Sequence, residues 1–221
     1  MAKRKLKRFA ELETFSNVFQ PKLHYPPGDF ELKGNWNKNF FKNHHPIVLE
    51  LGCGRGEYTV YLAKTHPEKN FIGIDIKGAR LWKGAKTAAE ERFENTAFVR
   101  TQIEYVDSFF SEKEISEIWI TFPDPQLHRD RELKRLTSLP FLEKYKKIIS
   151  PNGIIHLKTD SKSLFDYTLE VIEKNGFRLL NKMEDIYSIE NIPEELQVKT
   201  TYEKMFLAEG SKINYLEFSL G

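Results

Sequence analysis

Two apolar strands that flank a glycine-rich turn constrain the fold of this chain more than any other feature of its sequence. The first strand is predicted over residues 47–51 and the second over residues 71–76, with a helical stretch between them. Gly52, Gly54 and Gly56 follow the first strand directly. A strand, a glycine turn, a helix and a second strand in this order are typical of a βαβ unit that binds a nucleotide-containing cofactor.

The glycine turn departs from the dinucleotide pattern G-x-G-x-x-G in ways that favour S-adenosylmethionine (SAM). Its third glycine comes one position early, and the sixth position is Glu57. Glu57 in the first helical turn and Glu50 before the glycines would both repel a pyrophosphate. SAM has no phosphate, so backbone N–H groups can hold its carboxylate while Glu50 faces its cationic end, directly or through water. A nicotinamide or flavin dinucleotide and an unused turn are the alternatives.

Two further side chains at predicted strand ends fit the same cofactor. Asp75 lies 19 residues beyond Gly56, at the end of the second strand. A carboxylate at that place accepts hydrogen bonds from both ribose hydroxyls. Gln102 follows the predicted strand 97–101, at the strand end that commonly meets the adenine edge in SAM enzymes. The sequence therefore assigns Asp75 to the ribose and Gln102 to the adenine.

The single cysteine restricts the chemistry that the chain can perform. Cys53 can form neither an intrachain disulfide nor a cysteine-rich metal site, and we expect no metal. It is either a nucleophile, as in methylation of pyrimidine C5, or a small residue that fits a tight turn. The second interpretation is the simpler one.

The length and composition indicate one large domain with an extension. With 221 residues, the chain is predicted to form a basic N-terminal extension at 1–46 and a cofactor-binding domain at 47–221. No apolar run approaches the roughly 18–20 residues of a membrane span, so we expect no membrane association. The single cysteine agrees with a reducing compartment and a cytoplasmic location. A monomer and a homodimer are both compatible with the sequence.

Positive charge is concentrated in two segments, although the formal net charge is only +2. The first segment contains Lys3, Arg4, Lys5, Lys7 and Arg8. Such a run is either a disordered solubilising tail or an arm that contacts a polyanion. The second segment contains Arg129, Arg131, Lys134 and Arg135 and follows a motif that is described below.

Strands and helices alternate regularly from residue 47 onwards. Strands are predicted at 47–51, 71–76, 97–101, 117–122, 152–159, 177–183, 202–208 and 213–219, and helices at 56–66, 78–94, 138–148 and 162–175. This order predicts an α/β fold with a mostly parallel, doubly wound sheet and antiparallel strands near the C-terminus. Ligands of such sheets bind at the carboxyl ends of the strands.

Two aspartates follow strands at this predicted ligand-binding edge. Asp124 lies between two prolines, which restrict the backbone and make its carboxylate a rigid acceptor, unless the segment is only a solvated turn. Asp160 follows the strand 152–159 and either faces the same cleft or caps the next helix, a role also open to Ser161. The cations after Asp124 either bind phosphates or form a solvated, ion-paired helix face.

Together these segments resemble the bacterial tRNA (guanine-N7-)-methyltransferase family. The match runs from about residue 47 to the C-terminus and rests on residues 49–57 (LELGCGRGE), 71–75 (FIGID), 122–125 (FPDP) with the basic run after it, 157–160 (LKTD) and 200–203 (TTYE). Many methyltransferases share the first two segments, whereas FPDP with its basic run and the late T-x-x-E are much more specific. Read alone, T-x-x-E is a common helix-capping pattern.

The resemblance implies a Rossmann-like class I SAM-dependent methyltransferase that methylates N7 of guanosine 46 in the variable loop of tRNA. Asp124 would be the catalytic aspartate. Glu50, Asp75 and Gln102 would contact SAM together with the three glycines. The substrate guanosine would be bound by Asp124, His128, Asp160, Thr200, Thr201, Tyr202 and Glu203.

The chain departs from the family pattern in two places, the segment after Asp124 and the position of Gln102. The family usually continues Asp-Pro-Trp-Pro-Lys-Lys-Arg-His, where this chain has Asp124-Pro-Gln-Leu-His-Arg-Asp-Arg131. The usual tryptophan is therefore Gln126, and the usual substrate-binding lysine is His128. Arg129 and Arg131 are the candidates for the lost cation. Gln102 replaces a usual acid or asparagine.

Other functions are compatible with parts of the pattern. A SAM-dependent methyltransferase that acts on a protein or a small molecule would need no contacts to a polyanion. A non-catalytic tRNA-binding subunit would have no need of an intact glycine turn and Asp75. A nicotinamide-dependent dehydrogenase is disfavoured by Glu57.

Overall fold

The computed structural model describes residues 2–21 and 28–221, apart from the side chains of residues 2–4. The strands among these residues form one eight-stranded sheet. Its strands are β1 (Val18–Phe19), β2 (Ile47–Leu51), β3 (Asn70–Ile74), β4 (Thr96–Val99), β5 (Ile115–Thr121), β6 (Ile149–Thr159), β7 (Arg178–Met183) and β8 (Asn214–Ser219). The α-helices are α1 (Ala2–Leu12), α2 (Glu57–Thr65), α3 (Gly78–Glu90), α4 (Val106–Phe109), α5 (Leu139–Ile148), α6 (Lys162–Lys174) and α7 (Thr201–Ala208).

The sheet has the mostly parallel arrangement that the sequence predicts. The strands lie in the order β1-β4-β3-β2-β5-β6-β8-β7. The first six strands in this order run parallel to one another, whereas β8 runs antiparallel to both β6 and β7. The α/β prediction with antiparallel strands near the C-terminus is confirmed.

The central strands are buried on both faces. Val48 and Trp119 pack in a cluster with Leu62 of α2. Their neighbours in sequence, Leu49 and Ile118, point to the opposite side and pack in a cluster with residues of α5 and α6. Because both faces are covered, every residue of β2 is buried, as is usual for parallel strands.

One predicted strand is wrong, because the segment predicted as the strand 202–208 forms α7. The hydroxyl of Thr200 accepts a hydrogen bond from the backbone N–H of Glu203 at 3.2 Å, which caps the helix N-terminus. The T-x-x-E pattern therefore acts as the helix start that it commonly marks. The apolar residues Met205, Phe206 and Leu207 suggested a strand, but they lie in a short helix.

The described residues before residue 47 form helix α1, strand β1 and a π-helical turn. Leu12 of α1 is buried against α3, and β1 pairs with β4 at the edge of the sheet. Trp36 is fully buried in a π-helical turn, and its Nε1 donates to the carbonyl of Phe109 at 3.0 Å. Lys5, Lys7 and Arg8 of the basic run lie in α1, and the contact of this run with a polyanion stays a prediction. The division of the chain at residue 46 stays a prediction.

None of the helices in the described part of the chain is long and apolar enough to cross a membrane.

Candidate active site

The glycine turn brings backbone N–H groups and Asp75 together at the carboxyl ends of β2 and β3. Gly52, Gly54 and Gly56 all have positive φ, at 74°, 55° and 65°. A Cβ at Gly56 would also lie 2.6 Å from the ring of Phe98, so only glycine fits there. The N–H of Gly54 donates to Oδ2 of Asp75 at 2.9 Å. A carboxylate has about four lone-pair positions, so half-buried Asp75 keeps capacity for further donors.

Glu50 lies beneath the glycine turn rather than in an open cleft. Its side chain is 4% exposed and accepts hydrogen bonds from the N–H of Thr59 at 2.8 Å, from the Thr59 hydroxyl, and from the Thr121 hydroxyl at 2.8 Å. Burial raises the pKa of Glu50 from about 4.5 to about 7, although the threonine hydrogen bonds oppose this shift. Its charge would therefore act on a cofactor cation from below the turn.

The end of β4 contributes polar groups on the far side of the turn. Gln102, three residues after β4 ends, is exposed. The hydroxyl of neighbouring Thr101 is buried and has no hydrogen-bond partner among the described residues. Cys53 is also buried, and burial raises the pKa of its thiol, which agrees with a packing role.

Asp124 lies on a loop whose backbone is held in an unusual conformation. Phe122 and Gln126, on either side of it, both adopt left-handed backbone angles, with φ of 48° and 45°. Such angles are uncommon for residues other than glycine and occur often at functional sites. The carboxylate of Asp124 accepts a hydrogen bond from the N–H of Gln126 at 3.0 Å. Asp124 is nevertheless exposed, so its carboxylate can still meet a ligand.

Arg135 clamps this loop from the far end of the basic run. Its Nε donates to the carbonyl of Pro125 at 3.1 Å, and its Nη2 donates to the carbonyl of Gln126 at 3.3 Å. The guanidinium also lies over the ring of Tyr167, 4.2 Å from its centroid. Arg135 is therefore occupied with the protein itself, and its role differs from that of the other cations in the run.

The remaining members of the basic run face solvent. They follow Asp124 in a 3-10 helix, Arg129–Lys134, which begins after His128. The exposed side chains are those of His128, Arg129, Arg131 and Lys134. The structure thus separates the cluster predicted from the sequence into one clamp and several free cations beside Asp124.

Asp160 lies at the end of β6, the strand next to β5. The helix that follows is capped by Ser161, whose hydroxyl accepts from the N–H of Leu164 at 3.3 Å. Asp160 is therefore not needed as the cap, which was the alternative for this residue. Its side chain is half-buried, and burial raises its pKa above the ordinary value.

The segment Thr200–Glu203 meets the glycine turn through Thr201. The hydroxyl and N–H of Thr201 donate to the carboxylate of Glu57, at 2.6 and 2.8 Å. Tyr202 is half-buried, with the guanidinium of Arg80 5.7 Å from its ring centroid. Glu203 instead points into the protein and is fully buried, where it pairs with Lys158 at 2.8 Å. Among the four residues of this segment that are predicted to bind guanosine, Glu203 is thus not presented to a substrate in this structure.

Sequence comparison assigns the chain to a known family. Residues 44–216 match the family described as "Putative methyltransferase". Over 221 residues the chain is 53% identical to the tRNA (guanine-N(7)-)-methyltransferase of Christiangramia forsetii, and the alignment covers 99% of each protein. It is 49% identical to the protein of the same name from Bacteroides fragilis, and that alignment covers 100% of this chain and 87% of the relative. The chain belongs to the tRNA (guanine-N7-)-methyltransferase family.

Comparison with solved structures supports the fold of this family member. The crystal structure of the 16S rRNA methyltransferase KamB aligns with a TM-score of 0.63 and covers 82% of this chain and 91% of that one. The two sequences are only 14% identical, so this likeness concerns the fold alone. The predicted class I methyltransferase fold is confirmed.

Membership of the family confirms that the chain is a SAM-dependent methyltransferase, as the resemblance implied. SAM is the methyl donor of this class of enzyme, and the prediction of SAM as cofactor is confirmed. The dehydrogenase alternative is therefore wrong. The roles of the individual site residues stay predictions.

The contacts of three residues at the methyltransferase site were not predicted from the sequence. Glu57 was interpreted only as a group that repels pyrophosphate, yet it binds Thr201. Arg135 was grouped with the RNA-facing cations, yet it clamps the Asp124 loop. Lys158 is fully buried in β6, and a lysine directly after the largely apolar stretch Ile154–Leu157 was the signal that could have indicated an internal ion pair.

Proposed function

We propose that this protein transfers a methyl group from SAM to N7 of a guanosine in tRNA, at position 46 of the variable loop. The observation that carries the proposal is the placement of Asp124 and Asp160 at the ends of adjacent strands, with β5 beside the strand of the glycine turn. The names of the relatives that are 53% and 49% identical support tRNA as the substrate and N7 as the acceptor. The family resemblance supports position 46, and a tRNA substrate agrees with the predicted cytoplasmic location.

The chemistry of the residues around the glycine turn fits SAM. The lone pairs that Asp75 retains would accept from the ribose hydroxyls. The N–H groups of Gly52, Cys53, Gly54 and Gly56 already donate to acceptors within the protein, so they are not free for the SAM carboxylate in this structure. Gln102 would meet the adenine, beside the unpartnered hydroxyl of Thr101. Glu50 would act on the cationic end from beneath the turn. When bound, SAM supplies a methyl group on a positively charged sulfur.

The acceptor makes few demands on acid–base catalysis. Guanine N7 carries a lone pair and no proton, so nothing has to be removed before methyl transfer. The main task of the protein is to hold the guanine in the reactive orientation. The rigid loop around Asp124 suits that task, because its left-handed residues and the Arg135 clamp restrict its movement.

The two aspartates supply charge and specificity. Methylated guanine is cationic, and an ionised carboxylate nearby stabilises that charge as it develops. Asp124 and Asp160 can also accept hydrogen bonds from N1–H and the N2 amino group of guanine. Adenine has no N1–H and no N2 amino group, so this pairing would select guanine.

Contacts to the tRNA backbone come from the exposed cations. Arg129, Arg131 and Lys134 lie directly after the Asp124 loop and face solvent. Contacts of this kind position the RNA but carry little sequence information, and they weaken with salt. Arg129 and Arg131 are the candidates to replace the lysine that the family usually has at the position of His128.

Methyl transfer from radiolabelled SAM to unmodified tRNA, followed by nucleoside analysis, tests the proposal. We expect label in 7-methylguanosine and no label in a transcript in which guanosine 46 is replaced by adenosine. Label elsewhere in the RNA would contradict position 46. No label at all, with SAM binding intact, would contradict the tRNA substrate.

Asp124→Asn and Asp124→Ala test the catalytic role of the aspartate. Asparagine can still accept from the N–H of Gln126, so the loop is retained while the charge is lost. We expect kcat to fall by about 10²-fold in both variants, as on removal of one charge-stabilising group. Equilibrium binding of SAM should stay unchanged. Turnover at the wild-type rate in either variant would refute the role.

A further inference from the structure

Glu57 joins two parts of the site that lie far apart in the sequence. It is the first residue of α2, directly after the glycine turn. Both oxygens of its carboxylate accept hydrogen bonds from Thr201, the first residue of α7. Arg55, in the glycine turn, adds a third bond from its Nη1 to the Thr201 hydroxyl at 3.2 Å. The cofactor turn and the start of α7 are therefore connected directly.

The carboxylate of Glu57 is well suited to this connection. It lies in the first turn of α2 and accepts one of the backbone N–H groups that α7 leaves unpaired at its own N-terminus. The partial positive charge at the start of each helix favours an ionised carboxylate. A neutral residue of the same size would lose this attraction and one of the two acceptors.

The same turn of α7 is anchored on its other side to the strand that carries Asp160. The carboxylate of Glu203 pairs with Nζ of Lys158 and accepts from the hydroxyl of Tyr187 at 2.7 Å. Lys158 also donates to the carbonyl of Leu196 at 2.9 Å. The segment Thr200–Tyr202 is thus held between the cofactor turn and the end of β6.

We propose that Glu57 is a positioning residue that couples the SAM site to the guanosine site. The inference rests on the proposed function, in which Thr200, Thr201 and Tyr202 contact the substrate. The distance between this segment and the glycine turn depends on the Glu57 carboxylate. A ligand that orders the glycine turn therefore also orders the guanosine-binding segment, and by linkage the reverse holds.

Glu57→Ala, Thr201→Val and the double variant test the coupling. We expect S-adenosylhomocysteine to bind wild-type protein more tightly with tRNA present than without it, and this enhancement to be lost in Glu57→Ala. The kcat/KM for tRNA should fall by about tenfold, within the usual range of coupling between sites. The double variant should lose no more of the tRNA enhancement than Glu57→Ala does, because Glu57→Ala already removes both hydrogen bonds to Thr201.

Amide hydrogen exchange provides a readout that does not need tRNA turnover. The N–H of Thr201 donates to Glu57, so its exchange should be faster in Glu57→Ala than in wild type. Glu173→Ala, a change at an exposed glutamate on α6, is the matched control and should alter none of these quantities.

The outcomes separate the coupling from the proposed function. Wild-type protein that forms 7-methylguanosine, with an unchanged tRNA enhancement in Glu57→Ala and in Thr201→Val, would overturn the coupling alone. A loss of S-adenosylhomocysteine affinity that is equally large with and without tRNA would also overturn it, because it would show a merely structural role. Wild-type protein that forms no 7-methylguanosine would overturn the proposed function and the coupling with it.

Discussion

Glu50 is a carboxylate inside the protein whose charge changes in the physiological pH range. Its side chain is 4% exposed, and burial raises its pKa to about 7. Three hydrogen bonds from Thr59 and Thr121 partly compensate for the loss of water. A residue that the sequence assigns to the cofactor is therefore also part of the internal packing between β2, α2 and β5.

The raised pKa of Glu50 predicts a pH-dependent cost to stability. The folded state holds this proton up to about pH 7, whereas the unfolded chain releases it near 4.5. The free energy of unfolding should therefore fall as pH rises between these values, by up to roughly 3 kcal/mol from this group. Glu50→Gln removes the titration. The free energy of unfolding of the variant should therefore rise relative to that of wild type as the pH increases from 5 to 8.

Urea unfolding at several pH values, without cofactor, measures the difference between the two proteins. The difference cancels the titration of groups that both proteins share. Parallel profiles for wild type and Glu50→Gln would show that Glu50 does not titrate in this range.

At the scale of elements, the loop between β5 and α5 combines two kinds of cation. Arg135 donates to two carbonyls of the Asp124 loop, whereas Arg131 is exposed on the 3-10 helix. Both belong to one basic run in the sequence, and composition alone gives them the same role. Their contacts predict different kinetic effects.

Arg135→Lys and Arg131→Lys, each beside the corresponding alanine variant, should separate the clamp from the RNA contact. Lysine cannot reproduce the planar, two-bond clamp, so Arg135→Lys should lower kcat by about tenfold without changing the salt dependence of tRNA binding. Arg131→Lys keeps the charge and should have little effect. Arg131→Ala should weaken tRNA binding and reduce the salt slope, which is the slope of log K for tRNA binding against log salt concentration, by about one.

Steady-state kinetics at several salt concentrations provides both quantities. A reduced salt slope in Arg135→Lys would mean that Arg135 contacts RNA after all. Full activity in Arg135→Ala would mean that the clamp is dispensable.

Strands were predicted well where the local pattern and the tertiary environment agree. The run of β2, which is apolar except for Glu50, was predicted with the bounds that the structure shows, because parallel strands buried on both faces are nearly continuous in apolar residues. α7 was missed because Met205 to Leu207 are apolar, although the capping pattern was visible just before them. The contact between Glu57 and Thr201 could not be predicted at all, since it joins residues 144 positions apart.

The candidate site was predicted to the level of which strand ends supply it. Topology brings the ends of parallel strands to one edge, so Asp75, Asp124 and Asp160 could be placed together from the sequence. The direction of each side chain depends on three-dimensional contacts, and this is why Glu203 was assigned to the substrate but lies against Lys158. For the same reason Glu50 was expected at the cofactor and lies beneath the turn.

At the scale of the whole molecule, helix α1 carries part of the exposed positive charge. Lys5, Lys7 and Arg8 are exposed on α1, which packs on α3 through Leu12. Arg8 is held by the carbonyl of Ala79 at 3.3 Å. The basic arm is thus an ordered helix on the protein surface, which fixes where its charges are presented.

Deletion of residues 2–8 should raise the KM for tRNA and flatten its salt dependence. Each lost phosphate contact lowers the salt slope by about 0.7–0.9. The double variant Lys5→Gln, Lys7→Gln keeps the full length of α1 and should show a smaller effect in the same direction. kcat should not change, because α1 lies outside the cofactor turn and the Asp124 loop.

Kinetics at low and high salt, with Lys174→Gln on α6 as a control for loss of a distant charge, measures both effects. An unchanged KM and an unchanged slope in the deletion variant would leave α1 with a packing role only.

The position of β8 in the sheet has a consequence for how the protein is made. β8 lies between β6 and β7, although both precede it in the chain. While a ribosome is still producing residues 184–213, the edge of β6 is open and β7 has no neighbour to pair with. The nascent protein should therefore become resistant to proteolysis late and in one step, after β8 has emerged from the exit tunnel.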